Sequence, residues 1–227
     1  MTHPADSNAM LTLDQATVAL VRLSACIAGG TEEDVRAALA ETARAATPAA
    51  WVEELILQSY LFCGFPRTLN AAREWRRASQ SAPPPDSPIA AAAGADGEGS
   101  GGAPEAEEVD YTAADEATCA RVYGRFYERL RHNITELHPT LDRWMIVEGY
   151  GKVLSRPQLD LGRRELCIVA ACVASGQERQ LHSHLHGARN VGVPDNVVAQ
   201  SIAALAGVVH EDWRQRAAAL FAKVAGK

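Results

Sequence analysis

Residues 154–194, LSRPQLDLGRRELCIVAACVASGQERQLHSHLHGARNVGVP, decide the fold of this 227-residue chain. Apolar residues recur at helical spacing on both sides of a polar break at Ser175-Gly176, which predicts two helices, roughly 162–174 and 178–190. Alanine is abundant along the chain, and strand-like alternation of apolar and polar residues does not extend far. We therefore predict an all-α fold built from helical hairpins.

The first half of the chain repeats this pattern. When residues 20–56 are shifted by 146 positions they align with 166–202 without a gap, and ten of the 37 pairs are identical. One identical pair, Gly30 and Gly176, falls at a predicted interhelical turn, where the backbone requirements are strictest. The sequence therefore predicts an internal duplication, with an additional helical segment at 114–130 before the second copy.

A segment of different composition separates the two copies. Between positions 79 and 104, Pro, Gly, Ala and Ser fill 21 of 26 places, and Ile89 is the only large apolar residue. Such a segment cannot bury enough apolar surface to offset its conformational entropy. We predict one helical unit at 1–78, a flexible acidic linker at 79–110, and a second helical unit at 111–227.

Composition and charge exclude several classes of protein. The chain is 47% apolar and 22% charged, as in ordinary globular domains. Its net charge is −6, and residues 80–110 contain seven acidic and no basic side chains, which argues against nucleic-acid binding. No apolar run is long enough to span a membrane, and Met1–Asn8 lacks the features of a signal peptide. We expect a soluble, cytoplasmic protein without a membrane partner.

The cysteines do not form a recognisable framework. There are five, an odd number, and no pair has C-x-x-C spacing, since even the neighbours Cys167 and Cys172 are five positions apart. Reduced, buried thiols are the expected state.

A carboxylate and an imidazole are the candidate catalytic groups. Glu165 and His184 each lie on an otherwise apolar helix face, and in an antiparallel hairpin they would be offset by only about 4–5 Å along the axis. A semi-buried carboxylate that orients an imidazole suits proton transfer. The alternative is a structural hydrogen bond that closes the hairpin, which is the more common outcome of such spacing alone.

Two further groups of polar side chains have weaker patterns. His182 and His186 are i, i+4 neighbours that could hold zinc, but no third or fourth ligand is evident, so we favour a solvated face or a subunit contact and expect no metal. Arg163 and Arg164 either bind a substrate carboxylate, with Arg163 as the weak candidate, or are simply exposed, which we favour.

As a whole, residues 154–194 resemble the carboxymuconolactone decarboxylase family, within the alkylhydroperoxidase-D-like superfamily. The resemblance rests on R-P-x-L-D before R-E-L, on the alanine-rich helix, and on S-H-x-x-G-A-x-N-x-G-V. The first copy is similar to the family in VEELILQSYLFCGFPRTLNA, which ends in G-F-P-x-x-x-N-A. Together the similar stretches cover roughly 12–78 and 112–225.

The resemblance implies particular site residues. The superfamily's Glu and His match Glu165 and His184, whereas the two cysteines of its peroxidase branch fall on Gln177 and Gln180, which argues against thiol peroxidase chemistry. In the first copy the Glu and His positions are occupied by alanines, Ala19 and Ala38, and the second copy has His210-Glu211-Asp212 in place of G-F-P.

The decarboxylase branch implies a cofactor-free loss of carbon dioxide from a lactone acid. In that reaction His184 would protonate carbon, Glu165 would hold its tautomer, and a nearby cation would anchor the carboxylate. We therefore expect a lyase or related proton-transfer enzyme in aromatic catabolism that acts on a small lactone or carboxylated ring-cleavage product and assembles as a homo-oligomer. The alternatives are a non-catalytic helical assembly protein with a structural pair and, last, a thiol peroxidase.

Overall fold

The computed structural model describes residues 13–82, 84 and 112–226, without the side chains of 112–114. Most of the predicted linker at 79–110 and the N-terminal stretch examined for a signal peptide lie outside the described residues. Within the described residues there is no strand, and no helix is both long and apolar enough to cross a membrane. The prediction of an all-α fold is confirmed.

The helices follow one another with short connections. In chain order they are α1 (Gln15–Gly29), α2 (Glu32–Arg44), α3 (Ala49–Ser79), α4 (Thr112–Tyr123), α5 (Tyr127–Leu137), α6 (Pro139–Trp144), α7 (Leu161–Ser175), α8 (Glu178–Asn190), α9 (Asp195–Ala203) and α10 (Glu211–Ala225). A 3₁₀ turn, Gly124–Phe126, joins α4 to α5, and a π-helix, Met145–Leu154, follows α6 directly.

Helix boundaries in the two halves are related by the same shift that aligns the sequences. Under this shift both ends of α1 and α2 coincide with those of α7 and α8, and the start of α3 coincides with the start of α9. Equivalent residues also cap α1 and α7: the side chains of Asp14 and Asp160 accept backbone N–H groups from Thr17 and Arg163, respectively. Helix α3 is interrupted at Gly64, where φ is +74°, and the equivalent position in the second half directly precedes α10.

The centre of the molecule is the contact between α1 and α7. Near the start of both helices, Nε of Arg163 donates to Oγ1 of Thr17 at 2.9 Å. Near their ends, a Cβ on Gly29 would lie 2.7 Å from the carbonyl oxygen of Ala174, so the two backbones approach closely. The two helices therefore run side by side in the same direction, and only a residue without a side chain fits at position 29.

A buried ion pair joins the two halves beside this contact. Arg164 on α7 has no exposed surface, and its Nη2 atom donates to Oε2 of Glu54 on α3 at 2.8 Å. The other guanidinium donors reach the side chain of Gln58 and the carbonyl oxygens of Leu159 and Arg156. The favoured interpretation of Arg164 as an exposed residue was wrong, because the partner that covers it comes from a helix far away in the sequence.

Substitution of Glu54 by Gln should destabilise the fold strongly. The change keeps the shape of the side chain but leaves the buried guanidinium of Arg164 without a carboxylate, which costs about 3–5 kcal/mol. The matched control is Glu148→Gln, which removes the exposed pair with Lys152 and should cost about 0–1 kcal/mol. Urea unfolding of both variants measures the difference. Equal losses of unfolding free energy in the two variants would contradict the stabilising role of the Glu54–Arg164 pair.

Candidate functional site

The carboxylate of the site is placed by α7. Asp160 caps the helix by accepting the backbone N–H of Arg163, which fixes where the first turn begins. Glu165 follows on the face that also carries Ile168 and Cys172, and it has no exposed surface. A carboxylate in this position is removed from water and depends on partners within the protein.

The imidazole is placed by α8. Nδ1 of His184 lies 2.9 Å from Oε2 of Glu165, and only 5% of the His184 residue is exposed. The contact between the two residues that the helical spacing predicts is therefore confirmed, although their catalytic roles stay predictions. Since Glu165 occupies Nδ1, Nε2 is the ring nitrogen left to meet another group.

A glycine on α8 makes room for the carboxylate. A Cβ at Gly187, one helical turn after His184, would lie 2.5 Å from Oε2 of Glu165 and 2.9 Å from a methyl group of Val122. Both distances are shorter than real side-chain contacts. Any larger residue would therefore displace the Glu165 carboxylate or α4, the helix that carries Val122. The G in S-H-x-x-G is thus required by the packing of Glu165.

Two aromatic rings lie beside the imidazole. The ring of Phe62, from α3, meets His184 edge-on at a centroid distance of 5.6 Å, and the ring of Tyr123, from α4, lies 6.3 Å away. The ring of Tyr123 also packs against the ring of Tyr150 on the π-helix, with 6.3 Å between the ring centroids. Sequence reasoning missed all three rings, and the only local signal was that Phe62 precedes the G-F-P turn of the first copy.

The pKa values around Glu165 are shifted by burial and by its charge. Burial is the main cause that raises the pKa of Tyr123 and of Tyr150, and the Glu165 carboxylate raises both further. Among the described residues, no donor reaches Oε1 of Glu165, although this atom is buried. The site thus combines one carboxylate with phenols that keep their protons, and one carboxylate oxygen is available for a hydrogen-bond donor.

Arg163, the weak candidate for binding a substrate carboxylate, lies at the contact between the halves. It donates to the carboxylates of Asp14 and Asp160 at 3.1 and 2.7 Å, and its guanidinium lies 4.1 Å from the centroid of the Trp51 ring. Its side chain is only 15% exposed, so the expectation that it is simply exposed was wrong. The structure does not place Arg163 among the contacts of His184, and its role with substrate stays a prediction.

The candidate zinc pair lies on another side of α8. The rings of His182 and His186 are 4.9 Å apart, and His186 also faces the ring of Phe126. Within the part of the chain that the structure describes, no group of three or more His, Cys, Asp or Glu side chains is arranged to hold a metal ion. These histidines therefore form a local ring contact that is separate from the Glu165–His184 pair.

All five cysteines are free thiols, and their surroundings suppress ionisation. Burial raises the pKa of Cys26 and Cys63 to about 11, and that of Cys119 and Cys172 to about 12. Burial raises the pKa of Cys167 as well. Because the thiolate is the nucleophile, these residues lack the activation that thiol catalysis requires.

A stretch in the second half of the chain matches a known protein family. Residues 139–223 match the sequence model of the carboxymuconolactone decarboxylase family. The matched stretch contains both Glu165 and His184. It includes neither the first half of the chain nor α4. No curated protein sequence matches the chain.

Replacement of Gly187 by Ala should disturb the site. The added Cβ would collide with Glu165 and Val122, so we expect a loss of about 1–3 kcal/mol, typical of overpacking. Gly149→Ala is the matched control, since a Cβ at this buried helical glycine meets nothing within 4 Å. Thermal unfolding measures stability, and the NMR signals of the His184 ring report displacement of Glu165. Unchanged ring signals in G187A would contradict the tight packing.

Alkylation of the thiols should be slow in the folded protein. At pH 8 a thiol with a pKa of about 11 is ionised in only about 0.1% of molecules, so iodoacetamide should label the folded chain far more slowly than the urea-unfolded chain. Raising the pH should accelerate labelling, because it increases the thiolate fraction. Mass spectrometry identifies the labelled positions. Fast modification of Cys172 at neutral pH would reveal a reactive thiol beside Glu165.

Proposed function

Because residues 139–223 belong to the carboxymuconolactone decarboxylase family, we propose that the protein is a cofactor-free carboxy-lyase. Its substrate is a small lactone acid or a related carboxylated ring-cleavage product. The observation that carries this proposal is the 2.9 Å contact between Glu165 and His184 in a nearly water-free site. Proton transfer to carbon is the chemistry that an oriented imidazole supplies.

The geometry divides the work between the two residues. Glu165 accepts the Nδ1–H of His184, which fixes the ring orientation and leaves Nε2 to exchange a proton with substrate. Because Nδ1 stays with Glu165, Nε2 can give a proton to substrate and take one up again without a change in the position of the ring.

The reaction balances without a further reagent. The bond between the substrate carbon and its carboxylate breaks, carbon dioxide leaves, and the electron pair remains on the substrate as a conjugated carbanion. The Nε2–H of protonated His184 then delivers its proton to carbon, and the neutral imidazole regains a proton from solvent. The net change is replacement of a carboxylate by hydrogen with uptake of one proton.

The two halves contribute unequally to this site, as expected if the chain is a fused pair of helical units. Ala19 and Ala38 occupy the positions equivalent to Glu165 and His184, so the first half has no such pair. Among the described residues, α4 packs against Gly187 of the second half, whereas the equivalent Glu41 of the first half lines, with Ala19, an open cleft of about 610 Å³. The first half instead supplies Phe62 beside His184, so the proposed site is built from both halves.

The surface and the thiols support the rest of the proposal, a homo-oligomer in the cytoplasm. Leu137 and Trp144, at the ends of α5 and α6, are 78% and 55% exposed, and such apolar side chains are typical of contact surfaces. The five free cysteines match a reducing compartment.

A structural role for the pair is the second candidate, and the burial of His184 favours it. His184 is only 5% exposed, which leaves little of its surface for contact with a substrate. In a scaffold, the same hydrogen bond would simply join α7 to α8. Thiol peroxidase ranks last, because the relevant positions are Gln177 and Gln180 and the thiols are held protonated.

Measuring turnover and stability in the same variants decides between enzyme and scaffold. With carboxymuconolactone as the substrate tested, His184→Gln and Glu165→Gln should each lower kcat by about 10²-fold or more. His182→Gln, on the exposed side of the same helix, is the control and should keep wild-type turnover. Release of carbon dioxide and thermal unfolding are followed in parallel.

The scaffold hypothesis predicts the opposite pattern. Each variant would lose about 1–3 kcal/mol of stability, because a buried polar partner is left unpaired, while activity per folded molecule stays unchanged. That result would end the catalytic assignment of Glu165 and His184.

A further inference from the structure

A third functional group lies beside the Glu165–His184 pair, outside the residues matched by the family. It is Tyr123, the last residue of α4, which precedes the matched stretch 139–223. We propose that the Tyr123 hydroxyl donates a hydrogen bond to the substrate oxygen that becomes negatively charged as carbon dioxide leaves. This inference rests on the proposed decarboxylation, and it defines the substrate more narrowly.

Tyr123 is held in place by the helix that carries His184. Nδ2 of Asn190, at the end of α8, donates to the carbonyl oxygen of Val122 at 2.8 Å. The next residue of the chain, Gly124, has φ of +52°, and a Cβ there would lie 3.3 Å from the Asn190 side chain. The Asn190 side chain therefore holds the backbone at the end of α4 against the end of α8. These contacts fix the 6.3 Å separation of the Tyr123 and His184 rings.

The surroundings of Tyr123 suit a hydrogen-bond donor that does not lose its proton. Burial raises the pKa of its phenol, the Glu165 carboxylate adds to this effect, and a hydrogen bond with Tyr150 opposes it. Tyr150 is 3% exposed and lies on the π-helix, whereas Tyr123 keeps part of its surface accessible. Of the two tyrosines, Tyr123 is therefore the less buried and the better candidate for contact with a substrate.

The chemistry of decarboxylation requires such a donor. When the carbon–carboxylate bond breaks, the electron pair is stabilised only if it spreads onto a conjugated carbonyl oxygen. A fixed donor in a site with little water stabilises the resulting oxyanion far more than it stabilises the neutral carbonyl. The phenolic proton stays on Tyr123, while His184 protonates carbon, so the two groups act on different atoms of the substrate.

This division of roles specifies the substrate class. The carbon that loses carbon dioxide must be conjugated with a lactone or ketone carbonyl, because an isolated carboxylate offers no oxygen for Tyr123 to stabilise. The half-buried rings of Phe62 and Tyr123 beside His184 favour a small, flat ring system.

The first measurement is turnover of carboxymuconolactone by Tyr123→Phe. We expect kcat to fall by about 10²-fold with KM within about threefold of wild type, since the lost interaction forms mainly in the transition state. Tyr127→Phe is the control: it removes the hydroxyl that accepts from Arg131 on α5, away from His184. It should leave both constants unchanged. Wild-type kcat in Y123F would overturn the proposal.

The second measurement does not depend on the reaction and uses 4-nitrophenolate, a flat oxyanion whose absorbance reports binding. Wild type and Y127F should bind it equally, and Y123F should bind it at least about tenfold more weakly. The wild-type protein could bind 4-nitrophenolate through Tyr123 and yet not turn over the lactone. That result would support the Tyr123 hydroxyl as a hydrogen-bond donor and contradict the proposed decarboxylation. No phenolate binding to wild type, or equal binding by Y123F, overturns the donor itself.

Discussion

The close parallel contact between α1 and α7 is the constraint on which the rest of the structure depends. Gly29 allows the two backbones to approach at one end, and Thr17 and Arg163 meet at the other. This contact fixes the orientation of α7 and therefore the direction in which Glu165 faces. It also places α3 of the first half against the second half, because α3 packs on both helices.

The first half of the chain contributes residues to the surroundings of Arg164 and His184. Through Glu54, the first half supplies the carboxylate that pairs with the buried guanidinium of Arg164. Through Phe62, it places an aromatic ring against the imidazole of His184. Residues of both halves therefore surround Arg164 and His184.

Placement of the site deep in the molecule strengthens its electrostatics and limits its access. The Glu165 carboxylate acts on Tyr123, Tyr150 and the nearby thiols because little water separates them. The same burial makes Gly187 necessary, since the carboxylate fills the space that any side chain would need. The proposed decarboxylation depends on such a site, in which fixed protein groups replace the solvent around a developing charge.

The sequence by itself determined the helices that the two halves share, α1 and α2 in the first and α7 and α8 in the second, and the meeting of Glu165 with His184. Both follow from short-range rules: apolar periodicity, caps such as Asp160, and the rise per residue on two sides of a tight turn. Only the tertiary structure decided that Arg164 is buried, and that Phe62 and Tyr123 lie beside the imidazole. These outcomes depend on segments far apart in the chain, and no local pattern encodes which distant helix covers a given face.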